Sequence, residues 1–237
     1  MPAIAPLAST DALERHGLDS TSWVDVARGW VDGAGPLYDE LVERVEFKPS
    51  RLWRYERWVE EPRVGAWFTT ATLPHPFLRD AQRALQDRYR VTFDGASVIW
   101  YRDGRDSVAF HRDRELRYCE DTVIAILTFG QRRPWLLRPR ARRDKWIADN
   151  GGATHDLAPG PGDLLVMGGR CQVDWEHAVP KVDAQIGGRL SVQWRWTSRR
   201  GRPEVGGSYR AARNFTAAAP SAPSAPPSRP SGHGSAS

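Results

Sequence analysis

Two kinds of hydrophobic spacing divide this chain. Between residues 36 and 47, Leu37, Leu41 and Val45 recur at the interval of one helical face, with Val42 beside them. Residues 74–90 repeat that stripe with Phe77, Leu78, Ala81, Leu85 and Tyr89, and the prolines at its start suit the first turn of a helix. After about Ala96 the rhythm shortens. Residues 96–101, 122–130, 133–139, 162–169 and 189–196 are brief, rich in β-branched or aromatic side chains, and bounded by Gly, Pro, Asp or Arg, which predicts strands. The early half thus reads as helical with short extended pieces. Helices followed by strands predict an α+β domain. For so many short strands the closed form is a double-stranded β-helix (jelly roll), buttressed by the N-terminal helices.

The ends differ in character. From about Phe215 the chain turns to Pro, Ala and Ser, which cannot bury enough apolar area to offset chain entropy. Residues 214–237 are therefore expected to form a disordered tail, and residues 1–20 to be loosely ordered. One domain over 21–213 remains, with the jelly-roll core at about 95–197. The first residues lack a basic stretch followed by an apolar run, so no signal peptide is read. No run of about 18 apolar residues is found, so no membrane span is expected. Two cysteines, Cys119 and Cys171, make no disulfide framework and point to free thiols in a reducing cytoplasm. Nothing demands an obligate protein partner, and a monomer is expected. The formal charge of +5 is compatible with a polyanionic partner, and the 11 tryptophans offer core bulk and stacking surfaces.

Candidate chemistry begins with histidine. Of six, His16 and His233 lie near the ends, His75 sits between prolines, and His155 has only Asp156 beside it. His111 and Asp113 are separated by one residue, so in an extended chain both side chains face the same way. His177, from a distant strand, would complete two imidazoles and one carboxylate. Such a set holds one face of an ion and leaves open positions, the facial triad of non-haem iron(II) oxygenases. The open positions serve a chelating anion and dioxygen. A closed zinc site is disfavoured, because the two cysteines lack zinc-like spacing.

Residues 189–195, RLSVQWR, are the second signal. Period two puts Arg189, Ser191, Gln193 and Arg195 on one face, and Leu190, Val192 and Trp194 on the other. The polar face is either the solvated side of an edge strand or the lining of a cavity. In a cavity the guanidinium groups need anions, and 2-oxoglutarate supplies two carboxylates. Arg189 would grip the distal carboxylate. Arg195 would approach the metal-bound end or orient Asp113, and Tyr101 could donate its hydroxyl to the same ligand.

With these residues assembled, the chain resembles the AlkB-like 2-oxoglutarate dioxygenases. The resemblance covers about residues 97–196, through YRDGRDSVAFHRDRE, TFGQRRPWLLRP, LAPGPGDLLVMGGRCQVDWEHAVPK and RLSVQWR, with Pro62 and Arg63 matching an upstream Pro-Arg segment. It implies iron(II) at His111, Asp113 and His177, and 2-oxoglutarate contacts at Tyr101, Arg189 and Arg195. Ser191 stands where the family often has a small polar residue. It also implies oxidative dealkylation of a base nitrogen, in which the hydroxylated carbon leaves as an aldehyde while the cosubstrate becomes succinate and carbon dioxide. Two positions depart from the pattern. Ile99 replaces an asparagine that touches the cosubstrate, which implies weaker 2-oxoglutarate binding. TTATLP after Phe68 replaces the usual lid continuation, which leaves the substrate open.

A base must be flipped out or single-stranded to reach a buried iron. Stacking aromatics and a basic track would serve that purpose. Trp67, Phe68 and Trp175 are candidates to sandwich a base. The segment 132–145 carries Arg132, Arg133, Arg138, Arg140, Arg142, Arg143 and Lys145, with Trp135 interleaved and Trp146 just beyond. The plainer reading of that segment is a solvated hairpin with Trp135 packed inward. An alkylated nucleic acid is the expected substrate. The alternatives are the same chemistry on a small molecule or protein side chain, and a non-catalytic nucleic-acid-binding module.

Overall fold

The computed structural model describes residue 9 and residues 12–54, 56–113, 115–140, 153–183 and 185–198. The tail expected at 214–237 lies outside the described residues. In chain order the elements are β1 (Glu14–Gly17), β2 (Ser22–Ala27), α1 (Ala34–Arg44), β3 (Lys48–Arg54), β4 (Arg57–Thr69), α2 (Pro76–Tyr89), β5 (Gly95–Tyr101) and β6 (Val108–His111). They continue with β7 (Thr122–Gly130), β8 (Leu136–Pro139), β9 (His155–Asp156), β10 (Leu164–Gly169), α3 (Cys171–Asp174), β11 (Trp175–Val179) and β12 (Arg189–Thr197).

The strands form an eight-stranded sheet, ordered β1-β2-β10-β7-β12-β5-β4-β3, and a four-stranded sheet, ordered β6-β11-β8-β9. The neighbours pair antiparallel, as the double-stranded β-helix requires. The helix expectations for both stripes hold. In α2, Pro76 opens the helix and His75 Nδ1 accepts the Phe77 amide at 3.1 Å. Leu37 and Leu41 of α1, with Phe77, Leu78, Ala81 and Leu85 of α2, are buried against Leu127, Phe129, Leu190, Val192 and Trp194 of the large sheet. That apolar layer is one core. The second lies between the sheets and includes Ile99, Ile124, Ile126, Leu137, Leu165 and Met167.

The expectation of a helical early half is corrected. Four strands, β1 to β4, occupy much of it, and β1 lies within the first twenty residues, paired to β2 from Glu14↔Val26 to Gly17↔Trp23. Tertiary pairing fixes β1, because Arg15 grips the buried Asp25 through Nε and Nη2 at 2.7 and 2.9 Å and lies 3.8 Å over the Trp23 ring. Trp23 also fills the space over Gly168, where an added Cβ would sit 1.9 Å from its ring. The β3–β4 hairpin carries charged residues along its outer half, so neither strand shows clean apolar alternation.

Candidate metal centre and cosubstrate pocket

The antiparallel register between β6 and β11 places His111 directly opposite His177. Asp113 follows β6 by two residues, so its side chain returns to the same side. Ligand atoms of His111, Asp113 and His177 all lie within 4.8 Å of one another. The Asp113 Oδ1 atom is 3.7 Å from His111 Nε2 and 3.8 Å from His177 Nε2. These are the gaps of three donors converging on a centre rather than bonding to each other.

The surroundings set each donor's state. His111 Nδ1 lies 2.9 Å from the Ala109 carbonyl, which can only accept, so Nδ1 carries the proton and Nε2 keeps its lone pair for a metal. Burial pushes the His177 imidazole down to about 3, with help from His111, and burial likewise lowers His111. Both rings are therefore neutral at pH 7, the form that ligates. His177 is stacked on Trp135, ring centroids 5.4 Å apart at 18°. Burial alone would raise the Asp113 carboxyl, but the Arg195 charge, with the two imidazoles, holds it well below the usual carboxylate range. Arg195 Nε donates to Asp113 Oδ2 at 2.5 Å, and its guanidinium also bonds Gln193 and Ser97. Arg195 is thus bonded to Asp113, one of the two partners expected for it.

Arg189 lies on the pocket face of β12. It is fully buried, and Nε, Nη1 and Nη2 all lack a hydrogen-bond partner. Burial draws it down to about 10, which still leaves it charged at neutral pH. Its guanidinium lies 5.6 Å from the ring centre of Tyr101, its cross-strand neighbour on β5. An orphaned buried cation is unfavourable unless an anion meets it. A carboxylate fits that fork. Ser191, buried in the same row, accepts from Gln193 Nε2 at 3.1 Å, and Ile99 stands opposite it.

The remaining expected residues separate. Arg63 faces this pocket from β4: Nη1 reaches the Tyr101 hydroxyl at 3.4 Å, Nη2 reaches Glu61 at 3.0 Å, and its charge lowers both triad imidazoles. The Pro62 carbonyl accepts the Ser107 amide at 2.8 Å, tying β4 to the segment before β6. Trp67 pairs with Ser97, on the pocket side. Phe68, its neighbour, points the other way into the helix-side core, so the two cannot flank one base. Trp175 is buried and donates to Asp19 at 2.6 Å, and Trp135 is buried behind His177. Neither offers a free stacking face.

The basic segment is corrected at Arg133 and Arg138. Arg133 is fully buried and donates to the carbonyls of Asp103, Gly104, Asp106 and Pro180 at 2.8–3.4 Å. Arg132 bonds the Ala158 carbonyl. Arg138 lies 3.7 Å over Phe110 and pairs with Glu176. Arg140 is exposed, whereas Arg142, Arg143, Lys145 and Trp146 lie outside the described residues. Sequence reasoning missed Gln172, whose Oε1 accepts the Asp113 amide at 2.6 Å across 59 residues. No motif marks it.

A double-stranded β-helix holding two imidazoles and a carboxylate on one face, beside an unanswered buried arginine, is the architecture of a mononuclear non-haem iron oxygenase. Residues 51–204 match the 2OG-Fe(II) oxygenase superfamily, and the chain belongs to it. Alpha-ketoglutarate-dependent dioxygenase alkB homolog 3 of Homo sapiens is 29% identical over 171 residues, covering 65% of this chain and 58% of that protein. DNA oxidative demethylase ALKBH2 of Homo sapiens is 25% identical over 199 residues, covering 77% and 75%. The chain thus spans less than two thirds of the length of the human alkB homolog 3 it matches. A prolyl hydroxylase from Trichoplax adhaerens, solved with a hypoxia inducible factor peptide, shares the fold with a TM-score of 0.55 at 12% identity, covering 73% of this chain and 83% of its own.

Proposed function

We propose that this protein uses Fe(II), 2-oxoglutarate and dioxygen to remove alkyl groups from bases of DNA or RNA. The observation that carries the oxygenase reading is the preformed triad together with Arg189, a buried cation whose three nitrogens await an anion. Iron bound by His111, Asp113 and His177 would supply dioxygen activation at the positions the triad leaves open. Arg189 would hold the far carboxylate of 2-oxoglutarate, Tyr101 would close that end, and Arg195 keeps Asp113 aimed and ionised. The balance is one alkylated base, one 2-oxoglutarate and one dioxygen giving dealkylated base, aldehyde, succinate and carbon dioxide.

The nucleic-acid part rests on the rim. Tyr118 is 41% exposed, with the Arg117 and Arg112 guanidinium carbons 5.5 and 5.9 Å from its ring centre. Burial, then the charges of Arg140 and Arg117, lower Arg112 from its ordinary value. Cations crowded around an exposed aromatic, within five residues of Asp113, suit a phosphate chain with an unpaired base. Trp67 on the pocket side is the remaining stacking candidate, and Arg63, further along the same face of β4, would meet the substrate. ALKBH2 is named a DNA oxidative demethylase, which favours the same substrate class here.

A second reading keeps the oxidation but changes the substrate to a small molecule or protein side chain. It is favoured by the inward use of Arg133, Trp135 and Trp175. The converged triad speaks against a non-catalytic binding module. We place the protein in the cytoplasm as a monomer, consistent with two buried free cysteines. Among the described residues, no helix is long and apolar enough to cross a membrane.

The test is an aerobic screen of methylated single-stranded and duplex oligonucleotides with iron, ascorbate and 2-oxoglutarate, read by mass. Loss of one methyl group is expected. Succinate release with every oligonucleotide unchanged would favour the second reading.

A further inference from the structure

We infer that Gln172 is a positioning residue for the metal centre, presetting Asp113 relative to His177 before any ion arrives. Gln172 is fully buried on the one-turn helix α3. The amide N–H of Asp113 can only donate, so the oxygen of Gln172 must face it, and they meet at 2.6 Å. This orientation leaves Gln172 Nε2 buried with no partner. The fold therefore accepts an unpaired amide group in order to keep that oxygen on the ligand-bearing loop.

A second contact runs the same way. Arg112, between the two ligands His111 and Asp113, donates through Nη1 to the carbonyls of Arg117, Gln172 and Val173 at 2.8, 3.3 and 3.3 Å. Backbone and side chain of the loop are thus both fastened to α3. The turn itself is anchored, since Cys171 Sγ contacts the Trp23 carbonyl at 3.4 Å, and it runs directly into β11, which carries His177 five residues after Gln172. One rigid turn consequently sets two ligands that lie far apart in sequence.

This inference rests on the metal-binding reading, and one titration separates the two. Cobalt(II) is added anaerobically to the full chain and followed by its visible absorption, for wild type, Gln172→Met and Gln172→Glu, alongside melting of the metal-free proteins. Wild type that binds no cobalt would sink the metal reading itself. With wild type binding, Gln172→Met is expected to lose about 10–100-fold in cobalt affinity, the usual range for residues behind a metal ligand, with an altered spectrum and a metal-free melting temperature near wild type. Gln172→Glu keeps the acceptor oxygen and is expected to recover most of that loss. Wild-type affinity and spectrum in Gln172→Met would overturn the inference. Should Gln172→Met not fold, Gln172→Glu decides alone: near-wild-type affinity supports the role of the oxygen, and a tenfold loss contradicts it.

Discussion

On β12, Leu190, Val192 and Trp194 turn toward the helices, while Arg189, Ser191, Gln193 and Arg195 turn toward the four-stranded sheet. On the helix side most buried polar groups are answered, Trp30 Nε1 apart. Trp194 Nε1 donates to Gln82, which also bonds Thr70 and the Phe93 carbonyl. The buried Asp25 is answered by Arg15 and by the Tyr89 hydroxyl at 2.8 Å. The pocket side is left least complete at Arg189. Arg189 is the only guanidinium among the described residues with all three nitrogens buried and unbonded, whereas Arg195, six residues on, has Asp113. Stability is concentrated on one face, and unmet interaction, the raw material of binding, on the other.

That contrast can be broken residue by residue. Replacing Asp113 with Ala removes the only anionic ligand and takes from the buried Arg195 its carboxylate partner, leaving it Gln193 and Ser97, so turnover should fall to the uncatalysed background and stability by up to about 3–5 kcal/mol. Succinate release and thermal melting check both. Retained turnover would contradict the ligand role.

Arg189→Met should show the opposite sign in stability. Removing an unpaired buried cation should leave the cosubstrate-free protein as stable or more stable, by up to about 4 kcal/mol. Binding of 2-oxoglutarate should weaken at least about 30-fold, from the ~2–5 kcal/mol typical of truncating one partner of a buried charge pair. A stability loss with unchanged cosubstrate affinity would mean that Arg189 belongs to the core.

Gln82→Leu tests the helix side. Leaving the buried Trp194 Nε1 unpaired, while the Phe93 carbonyl keeps the Thr70 hydroxyl at 3.3 Å, should lower stability by about 1–3 kcal/mol, with the KM for 2-oxoglutarate unmoved. A changed KM would show that the two faces are coupled.

The smallest effect is expected at Asp19. Burial alone would raise this carboxyl, but the hydrogen bond from Trp175 and those from Thr21 and Ser22 bring it down to about 2. A carboxyl lowered in the folded state adds stability above its unfolded value near pH 4, and loses it as the pH falls toward 2. In Asp19→Asn, the acid limb of a melting-temperature profile between pH 4 and 2 should be shallower than in wild type. An unchanged limb would remove Asp19 from acid stability.

Legibility followed the same divide. β5, β7, β10 and β12 could be read because their residues are β-formers bounded by Gly, Pro or Asp, and the H-x-D pair because strand period two is local. β3 and β4 could not, since their outer halves carry charge on both faces and owe their strands to pairing. Trp135, Trp175 and Arg133 show the limit of composition: aromatic and basic side chains suit a rim equally well, and only the fold turns these three inward. Gln172 was illegible because its partner is 59 residues away and its meaning depends on one turn of helix.

The most direct test of the account is 2-oxoglutarate consumption itself. Wild type with Fe(II), dioxygen and ascorbate as the two-electron reductant should convert 2-oxoglutarate to succinate and carbon dioxide in equal amounts, slowly even without a prime substrate, and chelation of iron or Asp113→Ala should stop it. Absence of succinate from iron-loaded wild type, or equal release from the Asp113 variant, would contradict it.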